Sequence, residues 1–245
     1  MNKNTKGISS QPHYIYWHDV DVTGYMNFAA IARYLQEAAW HSADQLGFGF
    51  ETAKEMNQFW VLIKQWIKMD RFPKWKEKIV IETWPRGVNG YWVLRDYFIK
   101  DDKGETLGGV TSSWMLINTL TRRPERPVIT PEVLPYIGSQ LALEGSAPKI
   151  EFISQNEKKD SLKVRYSDMD LHGHVNNSRY IEWIFNALSA CGLKNKYSSL
   201  QINHLAETVE NDILDVVVSD IENTVFIKAE KRKDKHPVFI ARLGF

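Results

Sequence analysis

The chain has 245 residues, 43% of them hydrophobic and 25% charged, and a formal net charge of +1 at pH 7. These values predict a folded protein of one large or two ordinary domains and exclude a disordered chain. A balanced charge argues against general nucleic-acid binding, and no apolar run approaches the roughly 20 residues of a membrane span or forms a signal peptide.

Cysteine usage narrows the class further. The only cysteine is Cys191, which excludes an internal disulfide framework and a cysteine-rich zinc site. We therefore expect a cytoplasmic protein with no metal or other cofactor, no nucleic-acid partner and no membrane insertion. Both a monomer and a homodimer are compatible with the sequence.

The first half begins with a polar motif that leads into a helix. The motif is HDVDVTGYMN from His18, and apolar residues then recur at helical spacing from Phe28 to Ala39. Gly47 lies where this helix is expected to end. Strand-like segments separated by RFPKW, PRGVNG and DDKG follow, and we predict strands at Phe59–Met69, Lys78–Trp84, Tyr91–Lys100 and Thr106–Ile117.

A proline-rich segment separates this half from the next. Five prolines between residues 121 and 148 favour an extended connector over a third domain. We accordingly predict an N-terminal unit at residues 1–130, a connector at 131–155 and a C-terminal unit at 156–245.

The second half repeats the order of the first. SDMDLHGHVNN from Ser167 leads into a helical pattern from Tyr180 to Leu188, with Gly192 just past its end. Either Asn176 or Asn177 suits the helix N-cap. The strands predicted after it are Leu200–Ala206, Ile213–Ser219, Thr224–Glu230 and Val238–Leu243.

The two polar motifs align without a gap, which indicates an internal duplication. The shared positions are Asp19 with Asp168, Asp21 with Asp170, Gly24 with Gly173, and Asn27 with Asn176. One long helix per unit is the only element able to cover the apolar face of a sheet. We predict an α+β protein whose units are each a curled antiparallel sheet around one helix.

Three interpretations of the second motif remain open from the residues alone. It could be a polar turn before a helix, since Asp, Asn and Gly favour such positions. Asp170, His172 and His174 could instead bind a metal, although Gly173 suggests a turn rather than a flat strand. A hydrolytic site is the third interpretation, because the first copy carries Thr23 and Tyr25 where the second has the two histidines.

The run D-x-D-x-x-G-H-V-N-N followed by Tyr180, Ile181 and Trp183 resembles the hot-dog-fold thioesterases. The duplication resembles the acyl-acyl carrier protein thioesterases in particular. The first half is similar to that family in YLQEAA, FWVLIKQWIKMDRFPKW, IETWPRG, RDYFIKDDKGE and SSWMLINTLTRRPERP. The order and spacing of these segments make the match specific.

The resemblance implies a tandem hot-dog fold with a catalytic C-terminal unit and an N-terminal unit that forms most of the acyl-chain pocket. The family site is an Asp, an Asn two residues later, a His two beyond that, and a later Glu. By position these are Asp170, His174 and Glu207, while His172 occupies the Asn position. Plant relatives have a Cys after the Glu, where this chain has Thr208.

The implied function is hydrolysis of a fatty acyl thioester on acyl carrier protein, which ends chain elongation. Asp170 or Glu207 would act as base or orient it, with His172 and His174 at the carbonyl; a covalent anhydride on Asp170 is also open. The alternatives are an acyl-coenzyme A thioesterase and a non-catalytic acyl-binding protein. Candidate pocket aromatics are Phe59, Trp60, Trp66, Trp84 and Trp92, and candidate docking clusters for the acidic carrier are Arg122, Arg123 and Arg126 or Lys231, Arg232, Lys233 and Lys235.

Overall fold

The computed structural model describes residues 7–127, 140–193 and 196–245, which belong to two compact units, Met1–Ala147 and Pro148–Phe245. Residues 128–139, within the predicted connector and the end of the predicted N-terminal unit, lie outside the described residues. Each unit contains an antiparallel sheet and one long helix, as predicted. No described helix is both long and apolar enough to cross a membrane.

The N-terminal unit has its strands in the order β1-β3-β4-β5-β2, with the short β6 beside β5. Its long helix α1 packs against β1 and β3. The helix and all four predicted strands are confirmed, whereas α2 and β6 were not predicted. The elements are β1 (Ser9–Tyr14), α1 (Phe28–Gln45), α2 (Phe50–Glu55), β2 (Gln58–Met69), β3 (Lys78–Asn89), β4 (Trp92–Asp101), β5 (Thr106–Asn118) and β6 (Pro124–Glu125).

The C-terminal unit has the strand order β8-β11-β10-β9-β7. Its helix α3 packs against β7 and β9, so the sheet is covered by this one helix. All four predicted strands and the predicted helix are confirmed. The elements are β7 (Lys158–Lys163), α3 (Asn177–Ala190), β8 (Ser199–His204), β9 (Ile213–Ile221), β10 (Thr224–Lys231) and β11 (Pro237–Gly244).

Each core forms where the inward face of the sheet meets the apolar stripe of the helix. On α1 this stripe is rich in alanine, with Ala30, Leu35 and Ala38 fully buried, so the helix axis can lie close to the strands. On α3 the stripe contains larger residues, among them Ile184 and Leu188. Burying one such Leu or Ile side chain contributes about 1.5–3 kcal/mol.

The prediction that PRGVNG separates two strands was wrong, because β3 continues through Pro85 to Asn89. A β-bulge between Pro85 and Gly87 takes Arg86 out of the regular pairing, which accommodates a proline that has no N–H for the ladder. Gly87 has φ of 147°, a conformation that favours glycine. The chain reverses three residues further on, at Gly90, where φ is 64°.

A buried carboxylate links α1 to the polar motif that precedes it. Tyr34 of α1 donates a hydrogen bond of 2.6 Å to Asp19 Oδ2, and Asp19 is 1% exposed. The same oxygen accepts the backbone N–H of Tyr16 at 2.9 Å. The Tyr34 ring also stacks on His13 of β1, with 4.7 Å between centroids. Helix, motif and first strand are therefore joined at one point.

We expect the Tyr34→Phe substitution to lower the free energy of unfolding by about 1–3 kcal/mol, because it removes a donor to a buried charged acceptor. Urea unfolding followed by circular dichroism measures the change. Tyr91→Phe is the control, since Tyr91 is an exposed tyrosine of the same unit. Equal stability of the two variants would contradict this account of the link.

His204, the last residue of β8, is half-buried beside an aromatic residue of the C-terminal core. Its ring is 5.1 Å from the ring of Tyr180, edge to face. Burial lowers the pKa of His204 from its ordinary value of 6.5 to about 4, because the low-dielectric core disfavours the imidazolium form. The folded protein therefore holds this side chain neutral at pH 7.

Stability should consequently fall as the pH drops from 6.5 towards 4, since over this range the unfolded chain binds a proton at His204 that the folded chain does not. The contribution is on the order of 1–3 kcal/mol. We expect His204→Phe to flatten this part of the profile of unfolding free energy against pH. His236→Gln, at an exposed histidine, should leave it unchanged, and an equal slope in wild type and His204→Phe would overturn the assignment.

Candidate functional site

The polar motif of the C-terminal unit is a loop closed by three backbone hydrogen bonds. The Asp170 N–H donates to the carbonyl oxygen of His174 at 2.8 Å, and the Gly173 N–H donates to that of Asp170 at 3.0 Å. The Asn176 N–H donates to the carbonyl oxygen of Asp168, also at 3.0 Å. Gly173 supplies the positive φ, 73°, that this turn requires.

The N-terminal unit closes its own motif with the same three bonds. Asp21 donates to Tyr25 at 3.0 Å, Gly24 to Asp21 at 2.9 Å, and Asn27 to Asp19 at 3.0 Å, each from backbone N–H to carbonyl oxygen. The duplication therefore preserves the backbone of the loop while its titratable side chains differ.

Side chains at both ends of the loop satisfy backbone groups. Asp168 is 9% exposed, and its Oδ2 accepts the N–H of Arg165 at 2.8 Å. Asn176 is the N-cap of α3, and its side-chain oxygen accepts the N–H of Ser178 at 3.0 Å. Asp168, Gly173 and Asn176 thus build the loop, which agrees with their recurrence in the first copy.

The Asp170 carboxylate is engaged within the loop itself. Its Oδ1 accepts the N–H of His172 at 2.8 Å and lies 3.4 Å from the N–H of His174. In the first unit Asp21 makes the equivalent bond to the N–H of Thr23 at 2.8 Å. This conserved contact fixes the conformation of the turn that carries His174.

His174 is brought together with Glu207, which lies 33 residues further along the chain. The distance between His174 Nε2 and Glu207 Oε2 is 3.3 Å, and the two side chains are 26% and 37% exposed. A carboxylate at this distance orients an imidazole. Both groups remain open to a ligand from solvent.

Thr208 fastens the segment that carries Glu207 to the loop. Its carbonyl oxygen accepts the N–H of Val175 at 3.2 Å, and its Oγ1 shares a hydrogen bond of 2.8 Å with the hydroxyl of Tyr180. Thr208 is fully buried. Burial, together with the nearby carboxylates of Glu207 and Asp170, raises the pKa of Tyr180 to about 12. Sequence reasoning noted Thr208 only as a replacement for Cys and missed this structural role.

The other candidates of the motif are placed differently. His172 is an exposed residue that gives its backbone N–H to Asp170. Cys191 is the C-cap of α3, at the opposite end of the helix from the loop, so a Cys-His pair with His174 finds no support. Within the described ranges, no group of three or more His, Cys, Asp or Glu residues is arranged to hold a metal ion.

A pocket lies inside the N-terminal unit, between the C-terminal part of α1 and the sheet. It encloses about 380 Å³ of space between atoms, part of it open to solvent. The helix side is formed by Ala39, Trp40, Ala43 and, beyond the helix, Phe48. The sheet side is formed by Trp60, Val93, Arg95 and Trp114.

Of the five aromatic residues predicted as pocket candidates, Trp60 lines this pocket and its indole N–H donates to the Phe48 carbonyl oxygen at 3.0 Å. Trp84 is a core residue, 1% exposed, which packs on Phe98. Phe59 and Trp92 lie under cationic groups, Arg122 and Lys64 respectively. Trp66 is half-buried on β2. Sequence reasoning missed Trp40, Trp114 and Arg95, because the facing of helix and sheet decides which side chains meet.

The two basic clusters make different contacts: cations of the first lie over aromatic rings, and cations of the second form ion pairs. Arg122 lies over the ring of Phe59 and Arg126 over that of Tyr91, at 5.3 and 5.5 Å from the centroids. In the second cluster Lys231, Arg232 and Lys235 form ion pairs with acidic residues of the same unit, which are Asp212, Asp215 and Glu230. Internal pairing weakens the field that the second cluster can offer to an acidic partner.

Comparison with known proteins places these features in a family. The family model described as the acyl-ACP thioesterase N-terminal domain matches residues 9–137, and the C-terminal domain model matches residues 152–238. Curated relatives include a palmitoyl-acyl carrier protein thioesterase of Arabidopsis thaliana chloroplasts, 31% identical over 75% of this chain and 48% of the relative. An oleoyl-acyl carrier protein thioesterase of the same plant is 27% identical over 86% of this chain and 63% of the relative. The chain thus spans between about half and under two thirds of the length of these relatives.

Solved structures agree with the predicted hot-dog fold. An acyl-ACP thioesterase from Bacteroides thetaiotaomicron superposes with a TM-score of 0.88 and 26% identity, and the match covers 97% of both chains. A 12:0-ACP thioesterase from Umbellularia californica superposes with a TM-score of 0.82 at 22% identity over 97% of this chain and 93% of that one, a likeness of fold. With its two α+β hot-dog units and both family domains matched in order, this chain belongs to the acyl-ACP thioesterase family.

Proposed function

We propose that this protein hydrolyses the thioester of a fatty acyl chain carried on acyl carrier protein, releasing the free fatty acid and the holo-carrier and so ending chain elongation. The observation that carries the proposal is the 3.3 Å contact between His174 and Glu207 on a loop whose first-copy counterpart lacks it. Family membership supplies the substrate class, since the curated relatives are named as thioesterases of acyl carrier protein.

The chemistry that the site must perform is modest. A cysteine-like thiol has a pKa of about 8.5, so the thiolate leaves a tetrahedral intermediate without strong acid assistance. The His174–Glu207 pair takes one proton from water, the water oxygen forms a bond to the acyl carbon, and the carbon–sulfur bond breaks. The departing thiolate then takes up a proton. No nucleophilic side chain is needed, which agrees with the burial of Thr208 and the position of Cys191.

The contacts favour different roles for the two carboxylates. Glu207 faces the imidazole and is accessible to solvent, which suits a base or a group that orients one. Asp170 is occupied with loop N–H groups, so we assign it to positioning His174 rather than to activating water. His172, at the Asn position of the family, is assigned to the rim of the site.

The remaining assignments rest on the resemblance and on the pocket. We place the acyl chain in the N-terminal unit, residues 1–130, because its pocket is apolar on all walls but one residue, and catalysis in residues 156–245. Arg122, Arg123 and Arg126 remain one candidate docking surface for the acidic carrier, and the second cluster, which is paired internally, remains the other. Cytoplasmic action as a monomer or homodimer stays a prediction.

The direct test compares hydrolysis of two thioesters that carry the same acyl chain, one on acyl carrier protein and one on coenzyme A. The release of free thiol measures the rate. His174→Asn and Glu207→Gln should each lower kcat/KM on the carrier substrate by about 10²–10⁴-fold, the usual contribution of a positioned base. Glu210→Gln, at an exposed carboxylate three residues further along the chain, should retain full activity.

The outcomes separate the competing functions. A higher kcat/KM on coenzyme A than on carrier protein would replace the proposed substrate with acyl-coenzyme A. Binding of the acyl substrate without any thiol release would identify a non-catalytic acyl-binding protein. Full activity of both site variants would remove the His174–Glu207 pair from the mechanism.

Two substitutions of Asp170 distinguish positioning from base catalysis. Asp170→Asn keeps an oxygen that can accept the loop N–H groups, whereas Asp170→Ala removes it. If the role is positioning, Asp170→Asn should lose less than about tenfold in kcat/KM and Asp170→Ala at least about 10²-fold, because misplacement of a catalytic group is costly. Equal losses in both variants would show that the negative charge itself is required.

A further inference from the structure

The pocket of the N-terminal unit contains a charged residue, which binding of an alkyl chain does not require. Of the described residues that line it, Arg95 alone is charged, and the others are tryptophan, phenylalanine, alanine and valine. Arg95 is 3% exposed. A guanidinium removed from water in this way carries a large desolvation cost unless an acceptor compensates it.

The protein supplies little of that compensation. Among the described residues, the Arg95 side chain donates one hydrogen bond, from its Nη1 group to Thr83 Oγ1 at 3.2 Å. In the described part of the chain no carboxylate forms an ion pair with Arg95. Burial accordingly lowers the pKa of Arg95 from its ordinary value, although a guanidinium keeps its proton at any pH the protein meets.

The neighbouring carboxylate faces away from the pocket. Asp96 follows Arg95 on β4, and successive side chains of a strand point to opposite faces of the sheet. Asp96 Oδ2 accepts the N–H of Ala142 at 3.0 Å, and its Oδ1 lies 3.6 Å from the Arg86 guanidinium. The negative charge next to Arg95 in sequence is thus engaged by other partners.

The walls around Arg95 suit a hydrocarbon chain. The indole N–H of Trp114 donates to Ser112 Oγ at 2.9 Å and that of Trp60 to the Phe48 carbonyl oxygen at 3.0 Å. With these polar atoms satisfied, the tryptophans present ring surface to the pocket. An apolar cleft with a single cation that has no carboxylate partner among the described residues fits a ligand that combines an alkyl chain with one negative charge.

We infer that this pocket binds the carboxylate of a free fatty acid, with the carboxylate on the Arg95 guanidinium and the chain against the aromatic walls. A guanidinium and a carboxylate match in charge and geometry, and the pair is strongest away from water. An acyl thioester has no negative charge at its carbonyl, so this arrangement distinguishes the acid from the thioester. That the acid is the reaction product, competing with the acyl chain of the substrate, rests on the proposed function.

Binding can be measured without any assay of activity, because Trp40, Trp60 and Trp114 line the pocket. Tryptophan fluorescence of the full chain is titrated with decanoate, 1-decanol and methyl decanoate at pH 8. We expect decanoate to bind at least about tenfold more tightly than the two neutral ligands, the factor that each 1.4 kcal/mol of interaction confers. Equal affinities for the three ligands in the wild-type protein would overturn the inference.

Substitutions at Arg95 assign the effect to this residue. Arg95→Met should bind decanoate no better than decanol while retaining its decanol affinity, which also shows that the pocket is still formed. Arg95→Lys, which keeps the charge, should restore part of the preference. Arg71→Met is the matched control, since Arg71 is exposed in the same unit and paired with Glu77. Decanoate binding to Arg95→Met at the wild-type affinity would equally overturn the inference.

The two proposals fail in different ways. If decanoate binds as described but no thioester is cleaved, the proposed function is contradicted and the carboxylate site is supported. If thioesters are cleaved but decanoate shows no preference over decanol, the carboxylate site falls alone. If both hold, decanoate should inhibit hydrolysis competitively, and Arg95→Met should lower that inhibition by at least about tenfold.

Discussion

The proposed site depends on the closure of one loop, between Asp168 and Asn176, by hydrogen bonds that the N-terminal unit repeats. Asn176 caps the helix, Gly173 allows the turn, and the Asp170 carboxylate accepts loop N–H groups. These contacts hold the backbone in one conformation, so that the side chain of His174 projects from the loop in a defined direction. Without this closure, the 3.3 Å approach to Glu207 would cost the entropy of ordering both segments.

The duplication explains how such a loop can accommodate the catalytic role proposed for it. The same backbone bonds occur in both units, but the first carries Thr23 and Tyr25 where the second carries His172 and His174. A loop that is stable for structural reasons tolerates changes at the positions that do not close it. Thr208 completes the second copy, because its bonds to Val175 and Tyr180 bring the Glu207 segment against the loop.

Much of the fold could be predicted from the sequence, and the reason is periodicity. Alternating strands and two amphipathic helices with Gly47 and Gly192 at their ends are local signals, and the structure confirms them. PRGVNG was wrongly taken to separate two strands, because the bulge that accommodates Pro85 depends on pairing with β4, which is not local. The same limit applies to the site: the pairing of His174 with Glu207 was available only from the family resemblance, and the tie through Thr208 was not available at all. Arg95 was missed because the alternation of a strand predicts which side chains face inward, but it does not predict which of them border a cavity.

The central claim is that His174 and Glu207 act as one unit, and a double-mutant cycle tests it most directly. The measured quantity is kcat/KM for hydrolysis of a carrier-bound acyl thioester by wild type, His174→Asn, Glu207→Gln and the double variant. If the two groups act together, the double variant should be no less active than the weaker single variant, since removing one already disables the other. Losses that multiply, with the double variant slower by the product of the two single effects, would contradict the account.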